Sequence, residues 1–95
     1  MLKKKDIVNR LAERGHTKAA SSTFIDDFIM VVSEALVEGE SVMLHGFGTF
    51  EVRDMTEREA IDVRSGKRRL IKAYRHPKFI PGKTLKRFVQ EGRFF

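Results

Sequence analysis

No cysteine occurs among the 95 residues, so the chain can build neither a disulfide framework nor a cysteine metal site. Long apolar runs are missing too: none approaches the ~20 residues of a membrane-spanning helix. The basic start Met1-Leu2-Lys3-Lys4-Lys5 leads into Asp6 and a helical pattern, not into the apolar core of a signal peptide. A soluble, cytoplasmic protein is the expectation. His16, His45 and His76 lie too far apart in sequence to suggest a metal centre. There is no nucleophile–base constellation, no phosphate-cradling glycine loop and no metal-ligand spacing. The chain therefore reads as a non-enzyme with no cofactor and no small-molecule substrate. Internal repeats and low-complexity linkers are also absent, which leaves one small domain over residues 1–95.

What is present is a good deal of apolar surface for a small chain. Eight phenylalanines accompany many Ile, Val and Leu. A domain of this size is marginal alone, so it either packs a dense core or shares one with a second copy. The charge is divided unevenly. Residues 1–51 hold six Lys/Arg against eight Asp/Glu, and residues 52–95 hold thirteen against five. A basic half beside a mildly acidic half is the footprint of a polyanion binder. The plainer alternative is a solvated basic surface.

Ile7, Val8 and Leu11 recur at helical spacing, which predicts a helix over Lys4–Arg14 stopped by Gly15. Thr17 is a good N-cap for a second helix that reaches Glu38 before Gly39. Phe24, Ile25, Phe28, Ile29, Val31, Val32, Ala35 and Leu36 spread over more than one stripe of that helix. An apolar arc this wide needs more cover than a hairpin partner supplies, the first hint of a dimer. The period then changes. Val42–Leu44 and Thr49–Val52 read as strands around a turn through His45-Gly46-Phe47-Gly48, whose paired glycines suit positive φ. Residues 54–74 read as a longer hairpin with no obvious apolar face, turning at Ser65-Gly66. Arg75–Phe79 forms a returning strand in which Pro77 implies an edge or a bulge. Pro81-Gly82 breaks the chain, and Lys83–Gln90 forms a short helix with Leu85, Phe88 and Val89 as its apolar face. The fold class is α+β: a helical hairpin, a three-stranded antiparallel sheet with an extended β-arm, and a C-terminal helix.

Two segments are the most specific: Gly46-Phe47-Gly48-Thr49-Phe50-Glu51-Val52-Arg53, and Phe79-Ile80-Pro81-Gly82-Lys83-Thr84-Leu85-Lys86. With their spacing, and following a helical hairpin, they resemble the bacterial histone-like HU/IHF family of DNA-bending proteins over nearly the whole chain. The resemblance implies an intertwined dimer, a homodimer or a heterodimer with a related chain. Its body would be residues 1–53 and 75–95, with residues 54–74 as a β-arm around double-stranded DNA. It places Phe28, Ile29, Val32, Phe47, Phe50 and Phe79 in the dimer core. It also implies a nucleoid-associated protein of low sequence specificity that bends or compacts DNA. HU and IHF are standard examples of architectural minor-groove binders.

Arg53, at the base of the arm, matches a DNA-contact position of that family. Arg58 on the approach strand joins it, and Arg64, Lys67, Arg68, Arg69, Lys72, Arg75 and Lys78 make the returning side basic. Strict alternation puts Lys67 and Arg69 on one face and Arg68 and Lys72 on the other. Lys83 and Lys86 start the last helix, where free backbone N–H groups favour phosphate. Lys3, Lys4 and Lys5 either flank the DNA or keep the terminus soluble.

The arm tip departs from the family. Where relatives carry Arg-Asn-Pro-x-Thr-Gly, this chain has Ile61-Asp62-Val63-Arg64-Ser65-Gly66. The approach strand also contains Glu57 and Glu59. Two readings compete. Val63 or Ile61 acts as an apolar wedge between base pairs in place of the proline. Alternatively the tip does not intercalate and binding rests on charge; the repulsion of Asp62, Glu57 and Glu59 by phosphate favours this second reading. The same acids motivate another class of function, in which the fold serves as a protein-interaction or assembly module with weak or lost DNA binding.

Overall fold

Thr17 accepts a hydrogen bond from the Ala20 N–H at 3.1 Å, and this cap starts the longest helix. The computed structural model describes residues 1–94. Helix α1 is Lys4–Glu13 and α2 is Lys18–Val37. Asp6 accepts from the Lys3 N–H at 2.9 Å at the start of α1. An ion pair between Lys4 Nζ and Asp26 Oδ1 at 2.7 Å ties α1 to α2. The acid at mid-helix thus pairs with a lysine, as its surface placement suggests.

Five strands follow: β1 Val42–Leu44, β2 Gly48–Met55, β3 Arg58–Ile61, β4 Arg68–Ile71 and β5 Tyr74–Pro81. Helix α3, Lys83–Glu91, closes the chain. Strands β1, β2 and β5 form an antiparallel sheet in that order, while β3 and β4 pair only with each other. Pairing of β2 with β5 continues without a break from Gly48↔Pro81 to Met55↔Tyr74. Pro77 is accommodated because β5 is an edge strand; of the two expected solutions, the edge is used and no bulge forms. Each expected helix is recovered to within a residue at either end, the usual uncertainty of a frayed terminus.

The turn expected to use two glycines uses one. Gly46 carries positive φ, +82°, as a tight turn demands. Gly48 already lies in β2, opposite Leu44 and Pro81. Its lack of a side chain serves a close approach instead: a Cβ there would lie 2.6 Å from the Ile80 carbonyl oxygen and 2.6 Å from the Phe79 ring. Gly48→Ala must displace backbone or an aromatic ring. We expect a loss of about 1–3 kcal/mol, the range for overpacking, read as a lowered midpoint in urea unfolding with an unchanged m-value.

The interior of one chain is thin. Among the described residues Val8, 8% exposed, is the only buried apolar side chain, and none is fully buried. The accessible surface is 8415 Å², whereas a compact monomer of this mass should expose about 5,600 Å². The radius of gyration is 18.5 Å against about 12 Å for a compact domain of this length. Part of the excess is the arm. Much of the rest is apolar: Phe24, Ile29, Met30, Val31, Met43 and Phe47 are exposed. A surface of this kind needs a second chain to cover it.

Candidate nucleic-acid interface

Register decides which side chains can act together, because successive residues of a strand point to opposite faces. In the body sheet, Arg53↔His76, Glu51↔Lys78 and Thr49↔Ile80 share one face. Phe50↔Phe79, Val52↔Pro77 and Asp54↔Arg75 share the other. The Phe79 ring sits 4.8 Å from Phe50 and 5.2 Å from Phe47, centre to centre. The sheet thus has an aromatic underside and a polar, net basic top.

On the top face Arg53 Nε donates to Glu51 Oε1 at 2.7 Å, with the arginine 48% exposed. Glu51 lies between Arg53 and Lys78 and offsets part of their charge. An exposed pair is worth about 0–1 kcal/mol, so a phosphate can displace the carboxylate at small cost. Tyr74 and His76 stand edge to face on the same side, 6.1 Å apart.

The arm repeats the two-faced design. Arg58↔Ile71 and Ala60↔Arg69 form one face, Glu59↔Leu70 and Ile61↔Arg68 the other. The alternation expected for Arg68 and Arg69 holds. The second face differs from expectation in carrying exposed apolar side chains, Ile61 and Leu70. There Arg68 Nη1 lies 3.9 Å from Glu59 Oε2, so its charge is partly compensated, while Arg58 and Arg69 have no acid opposite them. Lys67 and Lys72 flank β4, just outside its paired residues.

The tip is held by its own hydrogen bonds. Asp62 Oδ1 accepts from the Arg64 N–H at 2.9 Å, an Asx-type turn. The Asp62 N–H donates to the Lys67 carbonyl at 2.9 Å, and the Gly66 N–H to the Asp62 carbonyl at 2.7 Å. Ser65 Oγ accepts from the Lys67 N–H at 3.3 Å. The Asp62 carboxylate, repulsive toward phosphate by its charge, thus also holds the turn. Its effect is to present Val63 at the apex, 97% exposed.

Lys83 and Lys86 are exposed on the first turn and a half of α3, whose N-cap is Gly82. Arg75 is set apart from the other basic residues. It lies on the underside, and its guanidinium donates to the carbonyls of Leu36 and Val37, each at 3.2 Å. A sequence signal for this existed: Arg75, Pro77 and Phe79 are two residues apart and so share a face. Of the expected dimer-core residues, Phe28, Ile29 and Phe47 remain exposed in one chain, while Val32, Phe50 and Phe79 are half-buried.

A family model described as "Bacterial DNA-binding protein" matches residues 2–90. This chain belongs to that family. It is 36% identical to the DNA-binding protein HU of Thermotoga maritima over 88 residues, 92% of this chain and 98% of that protein. It is 38% identical to the DNA-binding protein HU of Streptococcus mutans over 91 residues, 95% of this chain and all of that protein. Among solved structures, an Anabaena HU–DNA cocrystal structure matches with a TM-score of 0.82 at 30% identity, covering 93% of this chain and 97% of that one. HU from Thermotoga maritima matches with a TM-score of 0.65 at 31% identity, covering 93% and 98%. The HU-family match ends at Gln90, so Glu91 to Phe95 extend past it.

Proposed function

We propose that this chain is a nucleoid-associated architectural protein of the bacterial cytoplasm that binds double-stranded DNA as a dimer, with little sequence preference, and bends or compacts it. The observation that carries this reading is the register of the body sheet: Arg53 and Lys78 share one face while Phe50 and Phe79 share the opposite face. One face can then grip phosphate while the other is covered by a second chain, identical or related. Residues 1–53 and 75–95 form the dimer body and residues 54–74 the arm, Phe95 lying outside the described residues. Phosphate contacts from Arg53, Arg58, Arg64, Lys67, Arg68, Arg69, Lys72, Lys78, Lys83 and Lys86 set position without reading bases. Deformability of the duplex then sets preference.

Of the two readings of the tip, its geometry supports the wedge. Val63 stands fully out at the apex, and the Asp62 carboxylate is engaged with backbone beneath it. A β-branched apolar side chain in that position can open a base step as proline does. The exposed pair Ile61 and Leu70, beside the compensated Glu59–Arg68, instead favours the second class of function, an arm that docks protein.

Energy transfer between dyes at the two ends of a duplex of about 30 bp, titrated at two salt concentrations, tests both. Salt-sensitive binding with rising transfer is the expected result; each phosphate contact adds about −0.9 to the log–log salt slope. Val63→Ala should lower transfer at saturation and leave the slope alone; equal transfer in the variant rejects the wedge. Absence of binding at low salt would sink the DNA reading and leave the protein-docking one.

A further inference from the structure

Among the described residues at the arm root, Arg75 stays exposed but turns its guanidinium onto the protein's own backbone. It occupies the next-to-last rung of the body sheet, beside the final pair Met55↔Tyr74, after which the arm begins. Parity puts it on the aromatic underside with Val52 and Pro77, away from Arg53 and Lys78. Its guanidinium spans 38 or more residues of sequence to reach the end of α2: Nη1 bonds the Val37 carbonyl and Nη2 the Leu36 carbonyl, both at 3.2 Å. These are among the last carbonyls of the helix, at the negative end of its dipole; that of Leu36 also accepts from the Gly39 N–H at 3.0 Å, just past the helix. Helix α2 has no basic residue of its own in its last turn. A Cβ built on Gly39, just past that end, would lie 3.8 Å from Arg75 Nη2, so the guanidinium fills the space where the helix stops.

We infer that Arg75 is a positioning residue rather than a DNA contact: it clamps the root of the arm to the C-terminus of α2 and so fixes the direction in which the arm leaves the body. A planar fork with several fixed donors suits two adjacent carbonyls, whereas an ammonium on a flexible stem bonds them without fixing an angle. Without the clamp, the last rungs of β2 and β5 lose their side-chain hydrogen bonds to α2, and the arm pivots more freely about them. The clamp stabilises one arm direction, and the bend imposed on a duplex follows from that direction.

Two variants, Arg75→Ala and Arg75→Lys, separate this from phosphate binding. The bending readout rests on the DNA reading above, so a second readout omits DNA. The chain has no cysteine, so Thr56→Cys, just beyond β2, takes a single nitroxide per subunit. Pulsed dipolar spectroscopy then gives the distance between the two arm roots of the dimer. Both Arg75 variants should broaden that distribution, alanine more than lysine. On DNA, both should reduce end-to-end transfer at saturating protein while the salt slope stays within error of the parent. Arg69→Ala is the contrasting control, expected to make the slope shallower by about 1.8, one contact from each subunit at about 0.9. An unchanged root-to-root distribution in Arg75→Ala overturns the clamp whether or not DNA is bound. A slope that becomes shallower by about 1.8, one contact per subunit, in Arg75→Ala but not in Arg75→Lys also overturns it, since that marks Arg75 as a phosphate contact. Failure of the parent protein to bind DNA counts against the function proposed above and leaves the spin-label result to decide the clamp.

Discussion

Phe79→Ala is expected to remove the folded protein at micromolar concentration. The ring lies 4.8 Å from Phe50 and 5.2 Å from Phe47 and covers the face of Gly48. It is therefore the centre of the small aromatic cluster beneath the sheet. Truncating a packed Phe costs about 3–5 kcal/mol, and a homodimer loses this twice. Domains of this size are stable by only about 5–15 kcal/mol. Each chain leaves Phe24, Ile29 and Met30 exposed, so folding and association are coupled and no stable monomer remains as a refuge. Circular dichroism against temperature, at several protein concentrations, measures this. The expected result is loss of the cooperative transition. A transition that survives only a few degrees lower, at every concentration, would place the cluster outside the core.

The second large effect is on DNA. Reversing Arg68, Arg69 and Lys72 together to Glu should weaken duplex binding by about a hundredfold or more at low salt. Three phosphate contacts per subunit at about 1 kcal/mol each amount to roughly a hundredfold for each arm, and the new negative charges add repulsion. The log–log salt slope should become shallower by about 5.4, six contacts in a homodimer at about 0.9 each. Strand β4 pairs only with β3, away from the body sheet. The fold should therefore survive, and an unchanged melting curve is the control. Arg69 contributes more than Arg68, whose guanidinium is already near Glu59 at 3.9 Å. Single reversals should rank in that order. Unchanged affinity in the triple variant would take the arm out of the interface and move protein docking to first place.

The elements themselves were legible because their signals are local. The apolar spacing of Ile7, Val8 and Leu11, the cap at Thr17 and the break at Pro81-Gly82 each act over one helical turn or one turn of chain. The need for a partner was legible as well, since an apolar arc from Phe24 to Leu36 is wider than a hairpin can cover. Single residues within a pattern are harder to read. Gly48 reads as a turn partner of Gly46, but it meets a strand more than thirty residues downstream. Asp62 reads as a charge facing phosphate, yet its carboxylate accepts from the N–H of Arg64. Arg75 reads like its basic neighbours, although its fork reaches the end of α2.

Composition and periodicity alone determined that this is an α+β chain with a basic half, a mildly acidic half and more apolar surface than it can bury. The two glycine–phenylalanine segments determined the family. The tertiary structure decided which cations stand together, because facing depends on the register between β2 and β5, strands separated by the whole arm. One residue of slip would exchange the two faces and put Arg53 with Phe79. No local signal specifies that pairing. The close approach of Phe79 and Ile80 to Gly48, which only a residue without a side chain allows, fits that register and no other.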